Sequence, residues 1–157
     1  MSCWRNLNNG GISDHMQHKR LVIDANILIR AVLGSRVRHL IEYYRETFAF
    51  YIAEANAKEA EFYLSTELAA KRNLNEEIWR PVFIGILNTV QIIADDVLIE
   101  VESKAKARIA SRDINDWPAV AAALLLDCPV WTEDKDFLGA GVATWTTATV
   151  ELYLSDT

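Results

Sequence analysis

Cysteine is scarce in this chain: 157 residues carry two, Cys3 and Cys128. One lies in a polar leader and the other in an apolar setting, so no disulfide framework is expected and a reducing cytoplasm fits. No aliphatic run is long enough to span a bilayer, since the longest, residues 119–126, falls far short of the roughly 20 residues required. The leader mixes Asn, Gly, His and charge without an apolar core, so no signal peptide is expected. Internal repeats, linkers and low-complexity tracts are absent. The three histidines, His15, His18 and His39, stand apart from every acidic motif, so the sequence does not point to an imidazole base. His15 and His18 have a spacing that suits a metal on a helix, but no second pair of ligands accompanies them.

The composition that remains is globular. It is 51% hydrophobic and 24% charged, which opposes disorder, and the length suits one domain with a substantial core. We expect a polar, mobile extension over residues 1–20 and a single domain over 21–157. The formal net charge of −6 would ordinarily argue against a nucleic-acid partner, because phosphate binding is mainly electrostatic. That argument lapses if the acids are gathered around a metal while basic residues elsewhere hold the substrate.

The chain is organised around Leu21-Val22-Ile23-Asp24-Ala25-Asn26. Three consecutive aliphatics, two of them β-branched, predict a strand buried on both faces, and the run stops at a carboxylate. In open α/β sheets that strand end is where sites form, although Asp24 or Asn26 would also serve to cap the next helix. Periodicity and punctuation then predict helices over 27–33, 36–46, 53–72, 76–87, 97–110, 117–126 and 147–154, with strands over 48–52, 90–94, 129–132 and 142–145. Pro81 falls inside one of these helices, as a kink or a late start. Strands alternating with helices imply a three-layer α/β/α fold with a central parallel sheet.

Such topology delivers the C-terminal ends of all strands to one edge. Asp24 reaches it directly, and Asp134 and Asp136 lie just past the fourth strand. Asp116 stands at the start of the helix leading into that strand, and Glu59 in the first turns of the helix after the second. Each acid taken singly has an ordinary role. Asp113-x-x-Asp116 reads as an N-terminal cap with a helix-dipole partner, Glu59 as a solvated helix charge with Glu54 as its rival, and Asp134 or Asp136 as a loop acid. It is their joint pattern that points to chemistry. Hard oxygen ligands from several carboxylates suit Mg²⁺ or Mn²⁺, which acidify water and neutralise charge developing on phosphate; a second ion roughly 4 Å away would also support the leaving oxygen.

Basic residues offer two further groups. Lys104 and Arg108 fall four apart on one predicted helix and Arg112 continues the stripe toward Asp113, so it reads either as a phosphate guide or as a solvated face. Arg30, Arg36 and Arg38 form another group near the first strand. Trp117, Trp131 and Trp145 sit in apolar motifs and read as core rather than as stacking platforms.

Taken together, Leu21–Asn26, Glu59 in Ala57-Lys58-Glu59-Ala60-Glu61, Asp116 in Asp113-Ile114-Asn115-Asp116-Trp117-Pro118, and Val130-Trp131-Thr132-Glu133-Asp134-Lys135-Asp136-Phe137 resemble the PIN (PilT N-terminal) domain over roughly residues 21–154. The resemblance implies a parallel sheet of about five strands flanked by helices and an acidic pocket that binds Mg²⁺ or Mn²⁺. It implies a cytoplasmic ribonuclease acting on single-stranded RNA, of the kind that includes VapC-type toxins, with a small antitoxin protein and a homodimer as further partners. Asp24, Glu59, Asp116 and Asp134 match the catalytic and metal-holding positions, Asp136 an accessory acid, and Thr132 a hydroxyl beside the pocket. The polar leader departs from compact toxins, which begin almost at the first strand. A phosphoacceptor receiver domain fits less well, because its paired acids should follow the first strand, whereas Asp95-Asp96 follows the third. A non-catalytic PIN-like module that binds RNA or protein is the remaining alternative.

Overall fold

The computed structural model describes residues 19–110 and 112–156. Most of the expected extension, with Cys3, His15 and His18, lies outside the described residues. The first strand, β1 (Lys19–Ile23), takes in the last two residues assigned to that extension. β2 (Phe48–Ala53), β3 (Gln91–Ile93), β4 (Val130–Trp131) and β5 (Thr144–Trp145) complete one sheet in the order β3-β2-β1-β4-β5. Every pairing is parallel, and helices cover both faces, as the alternation of elements requires.

The apolar run of β1 is divided between two cores. Leu21 and Ile23 pack with Phe50, Ile52 and Trp131 on one face. Val22 packs with Tyr51, Ala53 and Val130 on the other. A strand buried on both sides has no need of alternating polarity, which is why its sequence reads as continuous.

The first face carries α1 (Ala25–Leu33), α2 (Arg36–Tyr44), α3 (Glu54–Tyr63), α4 (Ala69–Arg72) and α5 (Glu76–Thr89). Asn75 opens α5 by accepting a 2.9 Å hydrogen bond from the Glu77 N–H. The helix runs through Pro81, whose missing N–H deprives only the exposed first-turn carbonyl of Glu77, so no break results. The other face carries α6 (Asp95–Leu98), α7 (Glu102–Ile109) and α8 (Trp117–Leu126). α8 is buried through Pro118–Ala123, and its four alanines let it lie close to the sheet beneath α7. A short α9 (Val150–Leu154) ends the fold.

Two long helices expected from the sequence are divided. Residues 53–72 form α3, a wide π-type turn over Leu64–Leu68, and α4. In that turn the Ser65 hydroxyl donates to the Glu61 carbonyl at 2.9 Å and the Thr66 hydroxyl to the Phe62 carbonyl at 2.6 Å. Such back-bonding competes with the helical ladder and bends it. The helix expected over 97–110 begins at Asp95 and passes through a tight 3₁₀ turn, Ile99–Val101, before α7. The last helix starts at Val150 rather than 147, and β4 and β5 are each two residues long.

β1 lies between β2, which follows it in the chain, and β4, which arrives much later. The strand order therefore reverses between β1 and β4, and an open parallel sheet leaves a crevice at the carboxyl ends of such a pair. Val22 pairs with Val130 and Ile23 with Trp131, so Asp24 and Thr132 leave the sheet side by side.

Candidate active site

Asp24 is 5% exposed and ends β1 while capping α1. Its Oδ1 accepts from the Ala25 N–H at 2.8 Å, so the capping role read from sequence is real. Its Oδ2 accepts from the Thr132 hydroxyl at 2.8 Å and from the Asn26 amide at 3.0 Å. The Thr132 oxygen in turn accepts from the Asp134 N–H at 2.9 Å, and Asn26 Oδ1 accepts from the Glu133 N–H at 3.1 Å. Asn26 thereby ties the end of β1 to the loop after β4. A third tie runs from the Thr147 N–H to Glu133 Oε2 at 2.7 Å, while Thr147 Oγ1 accepts from the buried Trp131 indole at 3.1 Å.

Asp134 opens a short turn, Lys135–Phe137, by accepting from the Asp136 N–H at 2.9 Å. Phe137 is fully buried and anchors the turn. Asp113 does the capping in Asp113-x-x-Asp116, accepting from the Asn115 N–H at 3.0 Å. Asp116 makes no cap hydrogen bond to α8, and its Oδ2 is enclosed without any hydrogen-bond donor. Carboxylate oxygens of Asp113, Asp116 and Asp136 lie within 4.8 Å of one another. From sequence Asp113 has only a capping role, which its bond to Asn115 fulfils, and the closeness of its carboxylate to Asp116 and Asp136 shows only in three dimensions.

Asp24, Glu59, Asp116 and Asp134 line one cleft of about 840 Å³. Glu54 turns elsewhere: its carboxylate accepts from the Asp95 N–H at 3.2 Å and pairs with Lys58 at 3.2 Å. Asn56, only 2% exposed, brings its amide nitrogen to 3.5 Å from Glu59 Oε1. The indoles divide differently: Trp131 is fully buried, whereas Trp117 and Trp145 are half-buried against the core.

The stripe of Lys104, Arg108 and Arg112 does not line the cleft; Arg30, Arg36 and Arg72 do. Arg38 is spent on the end of α1, donating to the Ala31 carbonyl at 2.8 Å. Arg108 donates to the Gly141 carbonyl at 2.9 Å, and the Arg112 guanidinium lies where a side chain on Gly139 would meet it at 2.8 Å. Both glycines have positive φ, 84° and 80°. Arg108, from α7, therefore ties down the loop that continues from the Asp134–Phe137 turn, and the Arg112 side chain lies over Gly139 in the same loop. A helical period identifies a shared face but not what the face meets.

Burial pushes the Asp24 carboxyl up to about 6, against the hydrogen bonds from Thr132 and Ala25, with the charges of Glu59 and Asp134 adding to the rise. Asp116 is pushed up to about 8, first by burial and then by the charges of Asp24, Asp134 and Asp113. Acids held together in this way, with one enclosed oxygen that no donor reaches, form a donor set fitted to a hard divalent cation.

The PIN domain family model matches residues 22–155. Among solved structures, the chain is similar to the crystal structure of PAE2754 from Pyrobaculum aerophilum, with 18% sequence identity, 88% of this chain and 90% of that chain covered, and a TM-score of 0.61. A likeness at that identity speaks to the fold alone. A search of curated proteins gives no match.

Two outcomes are expected. Without metal, the native state holds protons on Asp24 and Asp116 that the unfolded chain has already released above its ordinary aspartate value of 3.8. Stability should then fall as pH rises from about 5 to about 8. Asp134→Asn removes a charge that raises both groups but keeps an oxygen for the Asp136 N–H. In EDTA the variant should melt above wild type near pH 8, with a flatter pH dependence and a smaller gain on adding Mn²⁺. Thermal melts of both proteins decide it; a variant that melts lower, with its Mn²⁺ response intact, would make Asp134 a structural loop acid. In the strapped loop, Gly141→Ala should lower the unfolding free energy by about 1–2 kcal/mol, the cost of a side chain at positive φ. Urea titration measures it, and an unchanged midpoint would mean that the loop and Arg108 yield freely.

Proposed function

The chain belongs to the PIN domain family, whose members are generally metal-dependent nucleases, and on that premise we propose that it is a Mg²⁺- or Mn²⁺-dependent endoribonuclease hydrolysing phosphodiester bonds of single-stranded RNA. The observation that supports this most is the convergence of Asp24, Glu59, Asp116 and Asp134 on one cleft where the strand order reverses, with an Asp116 oxygen that no donor satisfies.

In this reading Asp24, Asp116, Asp134 and Glu59 would hold the ion, with Asp136 and Asp113, whose oxygens lie close to those of Asp116, as supporting acids. Such an ion, when bound, would supply positive charge toward the phosphoryl oxygens and would acidify a water. The residues of the chain do the rest. Thr132 and Asn26 fix the rotamer of Asp24 through its Oδ2, and the Ala25 N–H fixes Oδ1. The burial that raises Asp24 and Asp116 also strengthens their attraction for a cation, since the local dielectric is low. Arg30, Arg36 and Arg72, on the same cleft, bind the phosphates flanking the reacting one. Among the described residues no helix is long and apolar enough to cross a membrane.

Purified protein should cleave single-stranded RNA with Mg²⁺ or Mn²⁺ and stop with EDTA. Asp24→Asn should lose at least a hundredfold in rate, on the scale of removing one electrostatic contributor to the transition state. Cleavage that persists undiminished in EDTA and in Asp24→Asn would refute the metal mechanism; metal-dependent RNA binding without cleavage would place the chain among non-catalytic modules. The toxin role implied by the family resemblance has its own test. Expression of wild type, but not of Asp24→Asn, should arrest a bacterial host, and a small neighbour-encoded protein should relieve the arrest. Normal growth with soluble, active enzyme removes that role.

A further inference from the structure

Phe62 is 66% exposed, yet it lines the acidic cleft. An exposed apolar side chain is ordinary on a protein surface. Phe62 stands in a cleft whose lining combines carboxylates and arginines with the apolar side chains of Ile29, Leu33 and Val37, so its open ring extends an apolar strip that runs beside the charged groups. Tyr43, Ile78 and Leu152 are more exposed but lie off the cleft. Phe62 also stands three residues after Glu59 on α3, so the two share a helix face.

The backbone around it is unusual. The Phe62 carbonyl accepts from two hydroxyls, Thr66 at 2.6 Å and Ser65 at 3.2 Å, and these bonds accompany the wide turn Leu64–Leu68. Wide turns of this kind occur disproportionately at functional sites. Beyond the turn, Arg72 on α4 reaches the same cleft as Phe62, and so does Arg30 on α1. Neither guanidinium is paired with a carboxylate among the described salt bridges, whereas Arg36 is shared with Glu151 at 3.5 Å. The lining holds five carboxylates against three guanidiniums. A phosphate chain is therefore drawn in only once a cation offsets the acids.

Building on the nuclease reading, we infer that Phe62 is the stacking platform for an unpaired nucleobase beside the reacting phosphate, with Arg30 and Arg72 holding phosphates of the same strand. Aromatic rings combined with a basic track are how single strands are bound without sequence readout. A duplex keeps its bases paired and stacked, and must give up both to place one on Phe62. The cleft thus selects one unpaired strand through a hydrophobic surface, while the arginines supply affinity that salt can screen.

The test uses Ca²⁺-loaded protein and a single-stranded RNA carrying 2-aminopurine, with its integrity checked on a gel. Binding to wild type should quench the fluorophore. Phe62→Ala should weaken binding on the order of tenfold, abolish the quench and leave the salt dependence unchanged, whereas Phe62→Trp should keep both affinity and quench. Arg72→Ala should keep the quench but reduce the slope of log K against log salt by about 0.7, the loss of one phosphate contact on a single strand. If Phe62→Ala binds as wild type does, or wild type binds duplex as well as single strand, the inference is overturned while the nuclease reading stands. If Phe62→Ala instead turns a dimer into a monomer in sedimentation with RNA binding intact, this face serves self-association and the inference falls. Wild type that neither binds nor cleaves a single strand overturns both readings.

Discussion

The site depends on a carboxylate held almost out of water at the end of the central strand. Asp24 is 5% exposed, and a buried charge is tolerated only when its lone pairs are met. Three donors meet them: the Ala25 N–H, the Thr132 hydroxyl and the Asn26 amide. Two of these donors come from the residues just after Asp24, and the third comes from the residue just after β4, which lies more than a hundred residues further along the chain. The parallel pairing of β1 with β4 is thus both a core contact and the device that makes Asp24 bearable. Because Thr132 also accepts from the Asp134 N–H, one hydroxyl sets the distance between two acids. Moving β4 by one residue would turn Thr132 to the other face and leave the carboxylate without its strongest partner.

The parts of this arrangement that could be read from sequence are those in which one residue's role is fixed by its immediate neighbours. Val22-Ile23-Asp24 declares a buried strand ending in a charge, and Thr132 to Phe137 declares a strand end followed by an acid-bearing turn. Both ends meet through a topology that alternating strands and helices already imply, so the five-stranded parallel sheet and its helical layers were legible. The choice of Glu59 over Glu54 depended on the family pattern, because helical phase alone leaves both near the same strand end. Only the tertiary bond from the Asp95 N–H shows where Glu54 is engaged. The wide turn at Leu64–Leu68 escaped for a different reason. Hydrophobic periodicity senses side-chain burial, whereas Ser65 and Thr66 act on backbone carbonyls. Arg30 and Arg36 were visible as a group near β1, but Arg72, more than forty residues away from Arg30 in sequence, joins them only through the turn that brings α4 round.

Among the acids of the cleft, Asp24, Asp116 and Asp134 are at least partly buried, whereas Glu59 and Glu67 on the helical side are exposed, as the arginines are. The acids that come from strand ends and from the start of α8 stand nearest the sheet, where the backbone is held on both sides and where burial raises Asp24 and Asp116. The arginines come from helices and a helix end, where long side chains keep their heads in solvent. This resolves the apparent contradiction of an acidic protein, with net charge −6, in a family of nucleases. Net charge describes the sum, whereas under the proposed function a phosphate would meet particular groups: the exposed guanidiniums, and then the carboxylates of Asp24 and Asp116, whose repulsion a cation would offset. The metal-free fold bears the cost of that repulsion, and on the proposed function metal binding to the native state would offset it by mass action.

The remaining requirement is that Asp116, at the start of a helix, arrive within reach of acids that follow strand ends. α8 accomplishes this through small side chains: Ala119, Ala121, Ala122 and Ala123 are buried, with exposures of 2% or less. A helix so lined can lie close to β1 and β2, with its first turn pressed toward the strand ends. Larger residues along that face would lift the helix and withdraw Asp116 from Asp24 and Asp134, whatever became of the acids themselves. Pro118 enforces the start of the helix at a position that needs no N–H donor, and Asp113 caps the turn before it, so Asp116 is not spent as a helix cap and its Oδ2 is left without a donor. The chemistry of the cleft therefore rests on an alanine-rich run that carries no charge at all.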